Sequence, residues 1–148
     1  MKIRVAVLCT LLTIGSFTLN AQIRKIPAAV TEAFKQKYPD ASDVEWKDKL
    51  TGFRADFKMN GESYEAKFSN KGEWQQTEKA IDAGDLPSAV NDGLDKSKYS
   101  EWEVSSVAHI EYKDGHIEYR ILVKKSDIEK KYLFFSKAGK LLKDTITI

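Results

Sequence analysis

Histidine, cysteine and closely paired carboxylates are the side chains from which hydrolytic or metal chemistry is usually built. This chain of 148 residues has two histidines, His109 and His116, and one cysteine, Cys9. Period-two alternation around Asp114-Gly115 sets His109 opposite Arg120 and His116 opposite Lys113, and cations there oppose a bound metal ion. Both histidines are read as solvent-facing. Glu111 opposite Glu118 and Asp56 opposite Glu65 are like-charge pairs that flanking arginines and lysines relieve, not a calcium cage with its several oxygen ligands. The 22 acids allow many pairings suited to glycoside hydrolysis, but nothing sets two of them in one pocket. No glycine-rich phosphate loop and no Gly-x-Ser-x-Gly elbow is present, and a Ser-His-Asp or Cys-His device has no basis. Trp46, Trp74 and Trp102 are able to stack on sugars, but their strand parity assigns them to the core. No catalytic, cofactor or metal residue is assigned, and the chain is read as a non-enzyme.

The elements that would position any site begin after a leader. Lys2 and Arg4 precede a nearly continuous apolar run, Val5 to Leu12, and small and polar residues then lead to Asn20-Ala21-Gln22. That is the pattern of a signal peptide over residues 1–21, which implies a periplasmic or secreted protein. Cys9 lies inside the apolar run, too early for a lipoprotein, so residues 22–148 carry no disulfide. About 127 residues suffice for one core. The chain has 24 basic and 22 acidic residues, and Lys2 and Arg4 leave with the leader, so the remainder balances. A neutral, interspersed charge pattern gives no reason to expect nucleic acid or anionic lipid as a partner. No other apolar stretch approaches membrane-spanning length, so no stable membrane insertion is expected after the leader is removed.

The remainder reads as two copies of one unit, about 26–82 and 86–148. Ile26-Pro27-Ala28-Ala29-Val30 recurs as Leu86-Pro87-Ser88-Ala89-Val90, Tyr38 as Tyr99, and Phe68-Ser69-Asn70-Lys71-Gly72 as Phe135-Ser136-Lys137-Ala138-Gly139. Each copy opens on a proline-led helix. Val30, Ala33, Phe34 and Tyr38 share one face in the first, and Gly93 predicts a shorter helix in the second. Alternating strands follow. Asn60-Gly61 as a two-residue turn sets Phe57 against Tyr64, Ala55 against Ala66 and Phe53 against Phe68 on one face, with the charges on the other. Asp114-Gly115, treated in the same way, sets Tyr112 against Ile117, Ile110 against Tyr119 and Ala108 against Ile121 inward, and Val107 against Leu122 outward. The expected fold is α+β: two tandem α-β4 repeats in one antiparallel sheet of about eight strands, with both helices packed on one face.

These residues resemble the PepSY-like, β-lactamase-inhibitor-like family of small exported bacterial proteins. The pattern is a leader, Ile26-Pro27 and Leu86-Pro87 openings, Tyr38-Pro39, Val44-x-Trp46, then Tyr64-x-Ala66-x-Phe68 before a glycine turn and Trp74. Ser100 after Tyr99 and Leu141 in place of Trp74 depart from it in the second copy. The resemblance implies the tandem sheet just described and protein binding through its open face.

One cluster breaks the polar-face rule. Carrying Phe68 onto Phe135 as an inward residue turns Tyr132 and Phe134 outward beside Val107 and Leu122. Apolar surface ringed by charge marks an interaction site. Val107, Leu122, Tyr132 and Phe134 are therefore expected to hold a protein or peptide, as part of a module that binds or inhibits an exported protein. The competing readings are an envelope protein that dimerises through the same face, and a small-ligand binder with a groove between sheet and helices.

Overall fold

A computed structural model describes residues 24–147, so the leader expected over residues 1–21 lies outside the described residues, as do Gln22, Ile23 and Ile148. Pro27 and Pro87 stand in extended backbone immediately before the two helices, α1 (Ala28–Lys37) and α2 (Ser88–Asp95). Their carbonyls accept the first helical hydrogen bonds, from Val30 and Thr31 in one case and Val90 and Asn91 in the other. Helix α1 stops at Tyr38 because Pro39 disfavours helical backbone in the residue before it. Helix α2 is the shorter, as Gly93 predicts.

Eight strands follow one another in sequence and in space: β1 (Ser42–Lys49), β2 (Gly52–Met59), β3 (Glu62–Ser69), β4 (Trp74–Ile81), β5 (Glu103–Tyr112), β6 (Ile117–Lys124), β7 (Lys130–Ser136) and β8 (Leu141–Ile146). All neighbours are antiparallel. Both helices cover the same face. Under α1, Val30, Phe34 and Tyr38 pack on Phe53, Ala55, Phe57, Ala66 and Phe68. Under α2, Val90 and Leu94 pack with Val107, Tyr119, Ile121, Val123, Leu133 and Phe135. Among the described residues the opposite face carries no helix, and we call it the open face.

The β2–β3 hairpin has the expected register, Phe57 to Tyr64, Ala55 to Ala66 and Phe53 to Phe68. Asn60 and Gly61 both have positive φ, as a type I′ turn requires. The β5–β6 hairpin does not have the expected register. Asp114 lacks positive φ, and the turn closes through the Gly115 amide to the Tyr112 carbonyl, with Gly115 at φ +83°. That is a type I turn ending in a glycine bulge, a three-residue loop rather than two. The strands therefore pair Val107 with Ile121, His109 with Tyr119 and Ile110 with Glu118. A one-residue slip exchanges the faces of β5 relative to β6. Val107, His109 and Glu111 turn to the helix face, while Ala108, Ile110 and Tyr112 turn to the open one.

The second half repeats the devices of the first. Ladder irregularities fall at Ser42/Glu45 and Val104/Ser106, and again at Lys67/Phe68 and Phe134/Phe135. The tyrosine after each helix reaches the last strand of its own half: the Tyr38 hydroxyl meets the Thr77 hydroxyl, and the Tyr99 hydroxyl donates to Asp144 Oδ2 at 2.5 Å. That bond, with Lys98 and Lys131 nearby, holds the Asp144 carboxyl below its usual range. A depressed carboxyl contributes stability above its unfolded pKa and loses it as pH falls through the folded value. Tyr99→Phe should therefore lower the urea midpoint at neutral pH, with the gap to wild type narrowing below about pH 4. A gap independent of pH would mean that the hydroxyl acts through something other than Asp144.

Candidate functional site

Register fixes which side chains share the open face. Across β1 to β6 it carries Glu45, Arg54, Asp56, Lys58, Glu65, Lys67, Glu78 and Arg120. Strand neighbours of opposite sign pair in a network. Arg54 lies 2.7 Å from Asp56 and 2.9 Å from Glu65, and Lys47 lies 2.6 Å from Asp56. Glu78 bonds Arg120. Among the described residues Glu78 is the one buried charge of this face, at 5% exposure, because it stands beside Ile110, itself 1% exposed. Burial raises the Glu78 pKa, and the Arg120 guanidinium opposes that rise. Burial likewise lowers that of the Lys67 ammonium, against the pull of Glu78 and Glu65. A depression of about 400 Å³ opens over this network, lined among others by Glu45, Asp56, Glu65, Glu78, Ala108 and Arg120. It lies on the open face.

Beyond the network, β6 and β7 present three apolar side chains of the expected cluster. Leu122 pairs with Tyr132, and Phe134 pairs with Arg120, all partly exposed and all on the open face. The Arg120 guanidinium lies 4.8 Å from the Tyr132 ring centre and the Lys143 ammonium 4.2 Å from that of Phe134. Such contacts hold an aromatic ring in place without burying it. Val107 is not among them. It is 4% exposed under α2, and Ser106 takes the place opposite Leu122 because of the β5 register. The sequence reading also missed Ile110 and Tyr112 as open-face residues. The repeat contained the signal: the offset that joins Tyr38 to Tyr99 joins inward Trp46 to Val107.

The histidines are placed differently from expectation. His109 is half-buried on the helix face, edge-on to Tyr119 with 5.4 Å between ring centres, and burial lowers its pKa. His116 is exposed, stacks on Tyr112 at 4.1 Å, and has Nδ1 2.5 Å from Asp114. Neither sits opposite the cation expected of it. Trp46, Trp74 and Trp102 pack against the two cores. Among the described residues no three His, Cys, Asp or Glu side chains gather as metal ligands, and no helix is long and apolar enough to cross a membrane.

The architecture defines a class: an antiparallel sheet with one face sealed by helices and the other carrying fixed charges and an apolar shelf. Residues 51–143 match the family model described as putative β-lactamase-inhibitor-like, PepSY-like, and the chain belongs to that family. Three solved structures resemble it. A "BLIP-like protein" from Bacteroides fragilis is 28% identical, with a TM-score of 0.73, covering 86% of this chain and 90% of that one. A "DUF2874 family protein" from Bacteroides ovatus is 27% identical, with a TM-score of 0.76, covering 82% and 88%. A "putative periplasmic protein" from Bacteroides eggerthii is 25% identical, with a TM-score of 0.76, covering 82% and 89%. No curated protein matches the chain.

Proposed function

We propose that this is an exported, non-catalytic module that holds a protein or peptide on the open face of its sheet. The observation that carries the reading is the shelf of Leu122, Tyr132 and Phe134, partly exposed apolar surface beside the ion-paired network of the same face. Apolar groups at the centre of a polar rim are the usual anatomy of an interface. Export rests on the leader and on the periplasmic description of a structural relative. Holding or inhibiting another protein fits the family's inhibitor-like description. Among the described residues the open-face carboxylates of Asp56, Glu65 and Glu78 are taken up in ion pairs, which favours binding over catalysis.

The test is a pair of substitutions, Leu122→Glu and Phe134→Glu, both at partly exposed positions. The combined variant should fold and should lose about tenfold or more of its affinity for a partner captured from the native cell envelope, as hot-spot removal does. Capture unchanged by the variant would remove the shelf from the site. Sedimentation of the purified chain separates the competing reading: a dimer that dissociates with the same substitutions would make the shelf a self-association surface.

A further inference from the structure

The open face is not evenly charged. Around the depression four of the five acids have a cation within reach: Asp43 meets Lys58, Asp56 meets Lys47 and Arg54, Glu65 meets Arg54, and Glu78 meets Arg120, while Glu45 makes no ion pair among the described residues. At the shelf the balance fails. Lys124 and Lys130 stand directly opposite each other across β6 and β7, a like-charge pair that costs stability in isolation. Lys143 stands opposite Phe134. Neither Lys130 nor Lys143 makes an ion pair among the described residues; Lys124 has Glu103 opposite it on β5 and an ion pair with Asp127, 94% exposed in the following loop. The surplus lies where the apolar side chains lie. One rung is Glu103–Lys124–Lys130, the next Ser106–Leu122–Tyr132–Thr145, the next Ala108–Arg120–Phe134–Lys143. With Arg120 taken up by Glu78, each outer rung keeps one cation in excess, Lys130 and Lys143.

Two cationic rungs four residues apart along a strand are about 13 Å apart, with an apolar rung halfway between. An extended segment has the same pitch, so its residues i, i+2 and i+4 fall over the three rungs in turn. We propose that the occupant of this face is an acidic extended segment of a partner protein, carrying an aromatic or branched aliphatic side chain with a carboxylate two residues to either side; this rests on the binding reading above. The apolar side chain covers Leu122 and Tyr132. One carboxylate relieves the Lys124–Lys130 repulsion, and the other meets Lys143 beside the Phe134 ring. A basic segment would add to the surplus.

The experiment is selection of a randomised heptapeptide display library on the exported form of the chain, on Leu122→Glu, and on the double variant Lys130→Glu/Lys143→Glu. Thermal transitions check that each variant folds. Wild type should enrich peptides with Asp or Glu flanking an apolar residue at the two-residue spacing, and their binding should weaken as salt rises. The charge-reversed variant should lose these peptides more than tenfold and select basic ones instead. Neutral or basic peptides whose capture depends on Leu122 would overturn the acidic occupant while leaving the binding face intact. No peptide dependent on Leu122 would overturn both. Lysine-dependent binding to phosphatidylglycerol vesicles without peptide enrichment would overturn the proposal in favour of an anionic membrane.

Discussion

Gly139→Ala is expected to destabilise the protein by about 3 kcal/mol or more, with a fall in Tm of roughly 10 °C or more. Two costs combine there. Gly139 has φ +80°, a conformation that costs a residue with a Cβ about 1–2 kcal/mol. In addition, an added Cβ would lie 1.8 Å from the Ala89 carbonyl oxygen in α2. Backbone cannot swing aside as a side chain can, so either the β7–β8 turn or the helix must move off the core. Gly93 shows how tight this joint is, since a Cβ on it would lie 2.0 Å from the Gly139 carbonyl oxygen. Gly115→Ala is the control. Its φ is +83°, but nothing lies within 4 Å of its added Cβ, so only the backbone cost should appear, about 1–2 kcal/mol. Equal losses in the two variants would show that close approach to α2 contributes nothing.

That joint shows which parts of the fold were legible in the sequence. The recurrence of Phe-Ser-x-x-Gly at Phe68 and Phe135 pointed to a repeated device, and the structure supplies its reason: Gly72 meets the Ala29 carbonyl of α1 as Gly139 meets that of Ala89. Gly93, read as a weak point of α2, is also a contact residue. Strand order and the β2–β3 register followed from alternation because aromatic and charged residues there leave one arrangement that separates them. The β5–β6 register did not follow, because β5 is apolar on both faces. Val107 fills the core under α2 and Ile110 fills the open face beside Glu78, so hydrophobicity could not choose between the two registers and the dipeptide Asp114-Gly115 decided wrongly. Three of the four cluster residues kept their face because they lie on β6 and β7, whose parity is set by Phe135, Tyr119 and Ile121. The ion-paired network was invisible for another reason. It joins residues such as Glu78 and Arg120, which are distant in sequence and meet only through β5 between them.

Arg120→Met should cost about 3 kcal/mol at neutral pH, the scale of removing one partner from a buried ion pair. Glu78 is at 5% exposure, and its carboxylate has the Arg120 guanidinium as ion-pair partner. Methionine keeps much of the arginine stem's bulk but leaves that carboxylate without a counter-charge. The sign of the pH dependence follows from Glu78. Burial already raises its folded pKa above the ordinary 4.5, and loss of Arg120 removes what opposes the rise. A carboxyl with raised folded pKa contributes full stability below its unfolded pKa and loses it as pH climbs through the folded value. The deficit of Arg120→Met should therefore be largest near pH 8 and shrink as the buffer is taken down towards pH 4.5, where Glu78 is free to protonate. Glu78→Gln in the Arg120→Met background should restore much of the loss at neutral pH, because an amide can be buried without a counter-charge. Urea midpoints of the single and double variants across this range decide the matter. A deficit that is constant with pH and unrelieved by Glu78→Gln would locate the loss in Arg120's contact with the Tyr132 ring. The pair also bears on binding. Glu78 holds the guanidinium that lies against Tyr132, so a variant that loses the anchor should weaken the shelf's ligand even where every shelf residue is intact.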